Sequence, residues 1–129
     1  MLTILLVDDE PDAEALFQQN FRREIRKKQY DFLFAQSGEE ALSKFVEPVA
    51  PDVLVLLSDI NMPGMTGLEL LDQVMARMPD LPVIMVTAYG DKNTENDALI
   101  RGARSLVSKP VDFGLLKEML SSIIGETER

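Results

Sequence analysis

Short runs of apolar residues alternate along this chain with segments in which apolar positions recur every third or fourth residue. Runs of about four to eight apolar residues are typical of buried strands, and the wider spacing indicates a helix with one buried face. The predicted strands cover residues 2–7, 30–35, 53–57, 83–86 and 105–108. Each is followed by a helical segment, so we expect one α/β domain over residues 1–129, with a five-stranded parallel sheet and helices on both faces.

The ends of the helices carry their own signals. The segments Ser37–Glu40 and Thr66–Glu69 have the spacing of capping boxes. Gly102 suits the position after a helix that covers residues 91–101 and has few apolar residues, and Asp112 suits the start of the last helix. The side chains expected on buried faces are Leu16, Phe17, Phe21 and Ile25 in the first helix, Leu68, Leu71, Met75 and Met78 in the third, and Leu115, Leu116, Met119, Leu120, Ile123 and Ile124 in the last.

Composition narrows the chemistry that this domain can perform. The chain has no cysteine and no histidine, which excludes disulfides, thiolate metal sites and imidazole acid–base catalysis. Carboxylates, lysines and hydroxyls remain, and Mg²⁺ is the cation that suits them. A net charge of −9 argues against direct binding of nucleic acid by the domain. No run approaches the roughly 20 apolar residues that a membrane span needs.

Five chemically active side chains lie directly after predicted strands. Asp8 and Asp9 follow the first strand, Asp59 the third, Thr87 the fourth and Lys109 the fifth. In a flavodoxin-like strand order, 2-1-3-4-5, the first and third strands are neighbours, so the three aspartates meet at the carboxyl edge of the sheet. Close carboxylates repel one another unless a divalent cation binds between them. A carboxylate nucleophile with a metal ion, a hydroxyl and a lysine is suited to phosphoryl transfer.

At these residues the sequence resembles the receiver domain of two-component response regulators, which is CheY-like. The matching motifs are ILLVDDEP at 4–11, SGEEAL at 37–42, SDINMPGMTGLELL at 58–71, PVIMVTAYG at 82–90 and SKP at 108–110. The resemblance implies a cytoplasmic signalling switch controlled by phosphorylation, and no enzyme activity beyond its own phosphoryl transfer and dephosphorylation.

The same resemblance implies roles for the acidic residues. Asp59 would accept the phosphoryl group from a phosphohistidine on a histidine kinase or a histidine phosphotransfer protein. Asp9 and Asp59 would bind Mg²⁺ directly, together with the backbone carbonyl of Asn61, and Asp8 would act through a bound water. The output would pass to a downstream protein or to a C-terminal domain outside this chain, and a phosphorylation-dependent homodimer is left open.

The resemblance also implies a switch. Thr87 and Lys109 would contact the phosphoryl oxygens, and the Lys109–Pro110 peptide would be cis. Tyr89 is either a switch residue or an exposed loop residue, and Leu106 stands where the family usually has an aromatic residue. The segment 52–59 is also about two residues longer than the family pattern, which preserves strand facing because side chains alternate with period two.

Two other functions are compatible with the acidic cluster. A haloacid dehalogenase-type phosphatase also uses a strand-end aspartate and Mg²⁺, but it places a second aspartate two residues on, where this chain has Asn61. A receiver-like scaffold that works without phosphorylation would not need all five site residues.

One further group of charges stands apart from the acidic cluster. The basic run within residues 22–28 is most simply a solvated helix end that complements the dipole, with partner docking as the alternative.

Overall fold

The computed structural model describes residues 2–46, 53–88 and 92–127. The strands are β1 (Leu2–Val7), β2 (Tyr30–Ala35), β3 (Val53–Asp59), β4 (Val83–Thr87) and β5 (Ser105–Ser108). The helices are α1 (Pro11–Asn20), α2 (Arg22–Arg26), α3 (Gly38–Val46), α4 (Gly67–Arg77), α5 (Lys92–Arg101) and α6 (Phe113–Thr127). The strands are parallel and lie in the order β2-β1-β3-β4-β5, which confirms the predicted order and fold class.

Alternate residues of the central strands enter two separate apolar clusters. Leu5 and Val7 of β1, with Leu56 of β3, belong to the cluster that α3, α4 and α5 cover. Ile4 and Leu6 belong to the cluster beneath α1 and α6. Successive side chains of a strand point to opposite faces of the sheet, so both faces of this sheet are buried by helices, as the uninterrupted apolar runs predict.

The beginning of β3 contains a bulge. Thr3 of β1 pairs with Val53 and Ile4 pairs with Val55, so Leu54 is the extra residue. Beyond this point the pairing of β1 with β3 continues in register to the end of β1. One extra residue of the long segment 52–59 is therefore absorbed before the strand reaches the site, while Asp52 lies outside the described residues.

The first helical segment is divided at Phe21. α1 ends at Asn20, α2 begins at Arg22, and Phe21 between them has φ −105° and ψ 13°. Phe21 is fully buried, and its ring stacks on Phe17 and meets Tyr30 edge to face. The prediction of one continuous helix is wrong here, because the break lets this ring enter the aromatic core.

The predicted helix faces are confirmed in part. Leu16 and Leu115 were expected to be buried, but each is 47% exposed, because the next residue in each helix faces the core instead. In α4 the stripe that faces the sheet consists of Gly67, Leu70, Leu71 and Val74. The predicted Leu68, Met75 and Met78 flank this stripe and are partly buried against the same cluster.

The capping box at Thr66 is confirmed, and the one at Ser37 is half formed. Thr66 Oγ1 accepts a hydrogen bond from Glu69 N, and Glu69 Oε1 accepts one from Thr66 N, each at 3.2 Å. Ser37 Oγ accepts from Glu40 N at 3.0 Å. The Glu40 carboxylate, however, accepts from Gln36 N at 2.9 Å, one residue before the expected donor.

The C-terminal end of α5 carries its buried residue and two ion pairs. Ala98 is its one buried residue, which confirms the scarcity of apolar anchors. Arg101 donates to Asp72 of α4 through Nη1 at 2.7 Å, and to Asp97 through Nε at 2.9 Å. Gly102 follows with φ 118°, a conformation that favours glycine, and so occupies the predicted position after the helix.

The last helix begins as predicted after Asp112, whose Oδ1 accepts a hydrogen bond from Leu115 N at 3.1 Å. Among the residues that the structure describes, none of the helices has the length and apolar character required to cross a membrane.

Candidate functional site

The parallel sheet brings the predicted site residues to one edge. Asp8 and Asp9 directly follow β1, Asp59 ends β3, Thr87 ends β4, and Lys109 directly follows β5. Backbone hydrogen bonds extend the sheet to these positions, from Asp8 N to the Ala35 carbonyl at 3.0 Å and from Lys109 N to the Thr87 carbonyl at 2.8 Å. The site is thus built on strand ends, whose positions the sheet determines.

Lys109 bridges two of the aspartates. Its Nζ lies 3.1 Å from Asp59 Oδ2 and 3.4 Å from Asp8 Oδ2. Asp8 is oriented from the other side, since its Oδ1 accepts a hydrogen bond from Glu10 N at 2.9 Å. The Lys109–Pro110 peptide is cis, as expected from the resemblance.

Burial and charge act against each other in this cluster. Asp59 is 6% exposed, and burial raises the pKa of its carboxyl. The charge of Asp8 raises this pKa further, whereas the hydrogen bond and charge of Lys109 lower it. Burial alone would lower the pKa of Lys109, but the hydrogen bond and charge of Asp59, together with Asp8, raise it above the ordinary value. Lys109 is therefore held as a cation beside a carboxylate that is costly to ionise.

Three carboxylates are close enough to hold one metal ion. One oxygen each from Asp8, Asp9 and Asp59 lies within 4.8 Å of the others. Carboxylate oxygens are the ligands that Mg²⁺ prefers, and Mg²⁺ commonly keeps several waters and takes only a few protein ligands. The donor set therefore fits Mg²⁺. Asn61, the remaining predicted ligand, lies two residues after Asp59, and its backbone N–H contributes to lowering the pKa of the Asp59 carboxyl.

Gly67 determines how closely α4 approaches this edge, and the sequence reasoning did not single it out. Its N–H donates to the Ile60 carbonyl at 2.8 Å. A Cβ at this position would lie 2.0 Å from the Asp59 carbonyl oxygen and 2.7 Å from Ile60 Cα. Only glycine leaves room for the backbone of Asp59 at this distance, so Gly67 belongs to the support of the site. In the sequence, the pair Thr66-Gly67 before the apolar face of α4 could have indicated this close approach.

A cleft of about 700 Å³ leads from the surface to Asp59. Its outer walls include the exposed Leu16 of α1 and, from the segment after β5, Val111 and Phe113. Asp8, Asp59 and Lys109 line its inner end. A group that enters between α1 and the start of α6 would therefore reach the Asp59 carboxylate.

Two of the three predicted switch residues, Thr87 and Leu106, lie within the described residues. Thr87 is 2% exposed at the end of β4, and Leu106 of β5 is partly buried against the cluster covered by α3, α4 and α5. Leu106 pairs with Met85 of β4, so it lies beside the strand that carries Thr87. Tyr89 lies outside the described residues.

Fold and site together define a flavodoxin-like α/β protein with an acidic, lysine-bridged site where the strand order reverses. The chain belongs to the response regulator receiver domain family, whose model matches residues 4–121. It is therefore a receiver domain of the kind found in two-component response regulators, which are signalling switches.

Relatives differ in how much of their length this chain matches. Chemotaxis protein CheY of Listeria monocytogenes is 39% identical over 123 residues, which cover 93% of this chain and 96% of that protein. Response regulator protein PilR of Pseudomonas aeruginosa is 35% identical over 121 residues, 93% of this chain but 25% of PilR. The crystal structure of the CheX–CheY–BeF₃–Mg²⁺ complex from Borrelia burgdorferi has a TM-score of 0.84 and 29% identity, over 95% of this chain and 89% of that one.

Proposed function

We propose that Asp59 accepts a phosphoryl group from a phosphohistidine on a histidine kinase or a histidine phosphotransfer protein, in a magnesium-dependent reaction. The position of Lys109, 3.1 Å from Asp59 and 3.4 Å from Asp8, is the observation that carries the proposal. It places a cation beside the acceptor carboxylate, where negative charge accumulates during transfer. Residues 1–129 would form a single receiver domain that works as a phosphorylation-controlled switch.

The transfer step can be written with the chain's own residues. A carboxylate oxygen of Asp59 attacks phosphorus, the bond from phosphorus to the imidazole nitrogen breaks, and that nitrogen keeps the electron pair. The Lys109 ammonium and the Thr87 hydroxyl donate to phosphoryl oxygens, which carry the charge of the transition state.

Asp8, Asp9, Asp59 and the Asn61 carbonyl would hold Mg²⁺, with Asp8 acting through a water. When bound, Mg²⁺ would neutralise part of the charge that the carboxylates and the phosphoryl group share. The three carboxylate oxygens within 4.8 Å support this assignment.

The cleft between α1 and the start of α6 supports a protein as the phosphoryl donor. Its mouth is apolar, with Leu16 47% exposed, and its inner end is polar. A helix of the donor that covered Leu16 would bring its phosphohistidine to Asp59 and exclude water from the reacting oxygen, which strengthens the electrostatic interactions inside.

The phosphorylated form would signal through α5. This helix has one buried residue, the small Ala98, so few apolar contacts oppose its movement. Movement of Thr87 and Lys109 toward the phosphoryl group would alter the loop after β4, with Tyr89 and the start of α5 rearranging. The readout would pass to a downstream protein, to an output domain beyond this chain, or to a second copy of it.

Phosphorylation can be tested by intact-mass analysis with acetyl phosphate and Mg²⁺. We expect one added phosphoryl group, which is absent in Asp59→Asn and in EDTA. Asp80→Asn is the matched control, because Asp80 is exposed on the turn after α4. Undiminished labelling of Asp59→Asn would refute the proposal.

The same protein distinguishes the two other functions. A phosphatase would hydrolyse many equivalents of a small phosphate ester, whereas a receiver domain labels itself about once and a scaffold stays unlabelled. A single label that requires Mg²⁺ therefore supports the receiver function, and sustained turnover would assign the site to a phosphatase.

A further inference from the structure

A basic surface lies at the end of α1 that is farther from Asp59. We call it the α2 patch; it consists of Arg22, Arg23, Arg26, Lys27 and Lys28, and all five residues are exposed. They are five of the 13 lysines and arginines in a chain of net charge −9. Across the described ranges, none of the five forms an ion pair with a carboxylate. We propose that the α2 patch binds an acidic polypeptide segment of a partner protein.

The helix dipole does not account for all of these charges. The last turn of α1 contains no basic residue, and Arg22 instead opens α2, whose own last turn contains Arg23 and Arg26. Cations complement a dipole at the C-terminal end of a helix and are disfavoured at its N-terminal end. The simplest explanation of the basic run, a solvated helix end, therefore fails for Arg22.

Lys28, one of the five cations, has a backbone conformation that is unfavourable for a residue with a side chain. Its φ is 60°, in the left-handed region that favours glycine. Lys28 N donates to the Ile25 carbonyl at 3.0 Å and Gln29 N to the Glu24 carbonyl at 2.9 Å, which is the Schellman motif at a helix end. α5 ends with the same pair of hydrogen bonds and has Gly102 at this position. The α2 patch thus keeps a lysine where a glycine would be more stable.

The α2 patch is held rigidly on the fold. Glu24 forms an ion pair with Lys117 of α6, with Oε2 to Nζ at 2.9 Å. Ile25 packs against the aromatic cluster beneath α1 and α6. Glu24 is therefore paired with a cation outside the patch, and of the patch residues the charge of Arg23 also lowers the pKa of its carboxyl. A rigid surface loses little conformational entropy when a ligand binds.

The surface around Arg22 has the shape and polarity to hold an extended peptide. Arg22 lines two grooves, of about 590 Å³ and 350 Å³, which also share Gln19. The first continues to Arg26 and the second to Arg23. Guanidinium groups bind carboxylates through two parallel hydrogen bonds, and a glutamine amide can both donate to and accept from a peptide backbone.

Other polyanions suit this surface less well. Single-stranded nucleic acid is bound largely by stacking on exposed aromatic rings, and the nearest rings, of Phe17, Phe21 and Tyr30, are buried. A membrane surface would require an amphipathic helix with a broad apolar face, and Ile25 is the one apolar residue in α2.

The negative charge elsewhere on the domain would still allow a short acidic segment to bind. α1 separates the α2 patch from Asp8 by about 15 Å, at 1.5 Å per residue. Charges are screened over about 8 Å at physiological salt, so the acidic site would repel a ligand at the patch only weakly. A long polyanion that extended beyond the patch would meet this repulsion.

Binding can be measured by fluorescence anisotropy with a short fluorescein-labelled peptide of alternating glutamate and glycine, in EDTA at about 0.15 M salt, where the acidic site is screened. The test variant is Arg22→Gln/Arg26→Gln/Lys27→Gln. The control, Lys44→Gln/Arg77→Gln/Lys92→Gln, removes the same charge elsewhere. We expect the test variant to bind at least tenfold more weakly than wild type, at about threefold per contact, and the control to bind within about twofold.

The variant Lys28→Gly distinguishes a lost contact with the peptide from a loss of the folded structure. It should unfold at a higher temperature than wild type and yet bind the peptide more weakly, which no general destabilisation produces. Equal losses in both triple variants, or no measurable binding by wild type, would overturn the proposal. Preference for an oligothymidylate or for phosphatidylserine vesicles over the peptide would overturn it in favour of nucleic acid or membrane.

Discussion

Replacement of Gly67 by alanine tests whether α4 supports the acceptor residue. The added Cβ would lie 2.0 Å from the Asp59 carbonyl oxygen, whereas ordinary contact begins at 3.4 Å. The difference between these distances means that the two backbones must separate by about 1.4 Å. Backbone atoms of a buried strand end cannot turn aside as a flexible side chain would, so the cost should reach the upper end of overpacking, about 3 kcal/mol.

Two measurements follow from this displacement. At roughly 3–5 °C per kcal/mol for a domain of this size, Gly67→Ala should unfold about 10 °C below wild type by calorimetry. Intact-mass labelling with acetyl phosphate should also slow by about 100-fold, because an error of about 1 Å in a reacting group costs this much.

Gly125→Ala is the matched control, because nothing lies within 4 Å of a Cβ at that position. Alanine within a helix is favoured over glycine by up to about 1 kcal/mol, so this variant should unfold at or above the wild-type temperature and label normally. If Gly67→Ala matches wild type in both measurements, the contact between α4 and Asp59 is not rigid and the reasoning is wrong.

Three further predictions concern the site and α5. Asp59→Asn in EDTA should be more stable than wild type by about 1 kcal/mol at neutral pH. The difference in stability between the two proteins should be largest above the raised pKa of Asp59 and should vanish in acid, where the carboxyl is protonated. Equal melting temperatures at every pH would contradict this prediction. Asp72→Asn removes the contact with Arg101, so hydrogen exchange in α5 should accelerate by roughly twofold, with α6 unchanged. Leu106→Ala should preserve most of the beryllofluoride-induced NMR shifts in residues 92–101; their loss would place the readout at Leu106.

The positions of the strands and of the residues that follow them were predictable because both depend on local sequence, whereas the strand order was predicted from the flavodoxin-like fold class. The run Val53–Leu57 has no polar residue, and the run Leu2–Val7 has only Thr3, which leaves few alternatives to buried strands. Since parallel strands end at a common edge, the residues that follow them meet there whatever the details of packing. The contact of Lys109 with two aspartates was predictable for the same reason, because Lys109 also follows a strand, but the distances between these side chains were not predictable.

What the sequence did not reveal depends on contacts between distant segments. The division at Phe21 arises from rings of Phe17, Tyr30, Phe32 and Phe113, which lie in different parts of the chain. The need for glycine at position 67 appears only when α4 meets the backbone of Asp59, because any residue can occupy the first turn of a helix. Helical spacing likewise predicted a buried Leu16, which is 47% exposed because Phe17 faces the core instead.

The bulge at Leu54 divides β3 into a first part that can accept an inserted residue and a second part that cannot. An insertion before Val55 can be taken up by the bulge, since the pairing with β1 begins anew at Ile4. An insertion of one residue between Val55 and Asp59 has no such outlet and would turn the Asp59 carboxylate to the opposite face of the sheet. The gene can therefore vary in length at the entry of this strand during evolution, while a change only a few codons later would abolish the site.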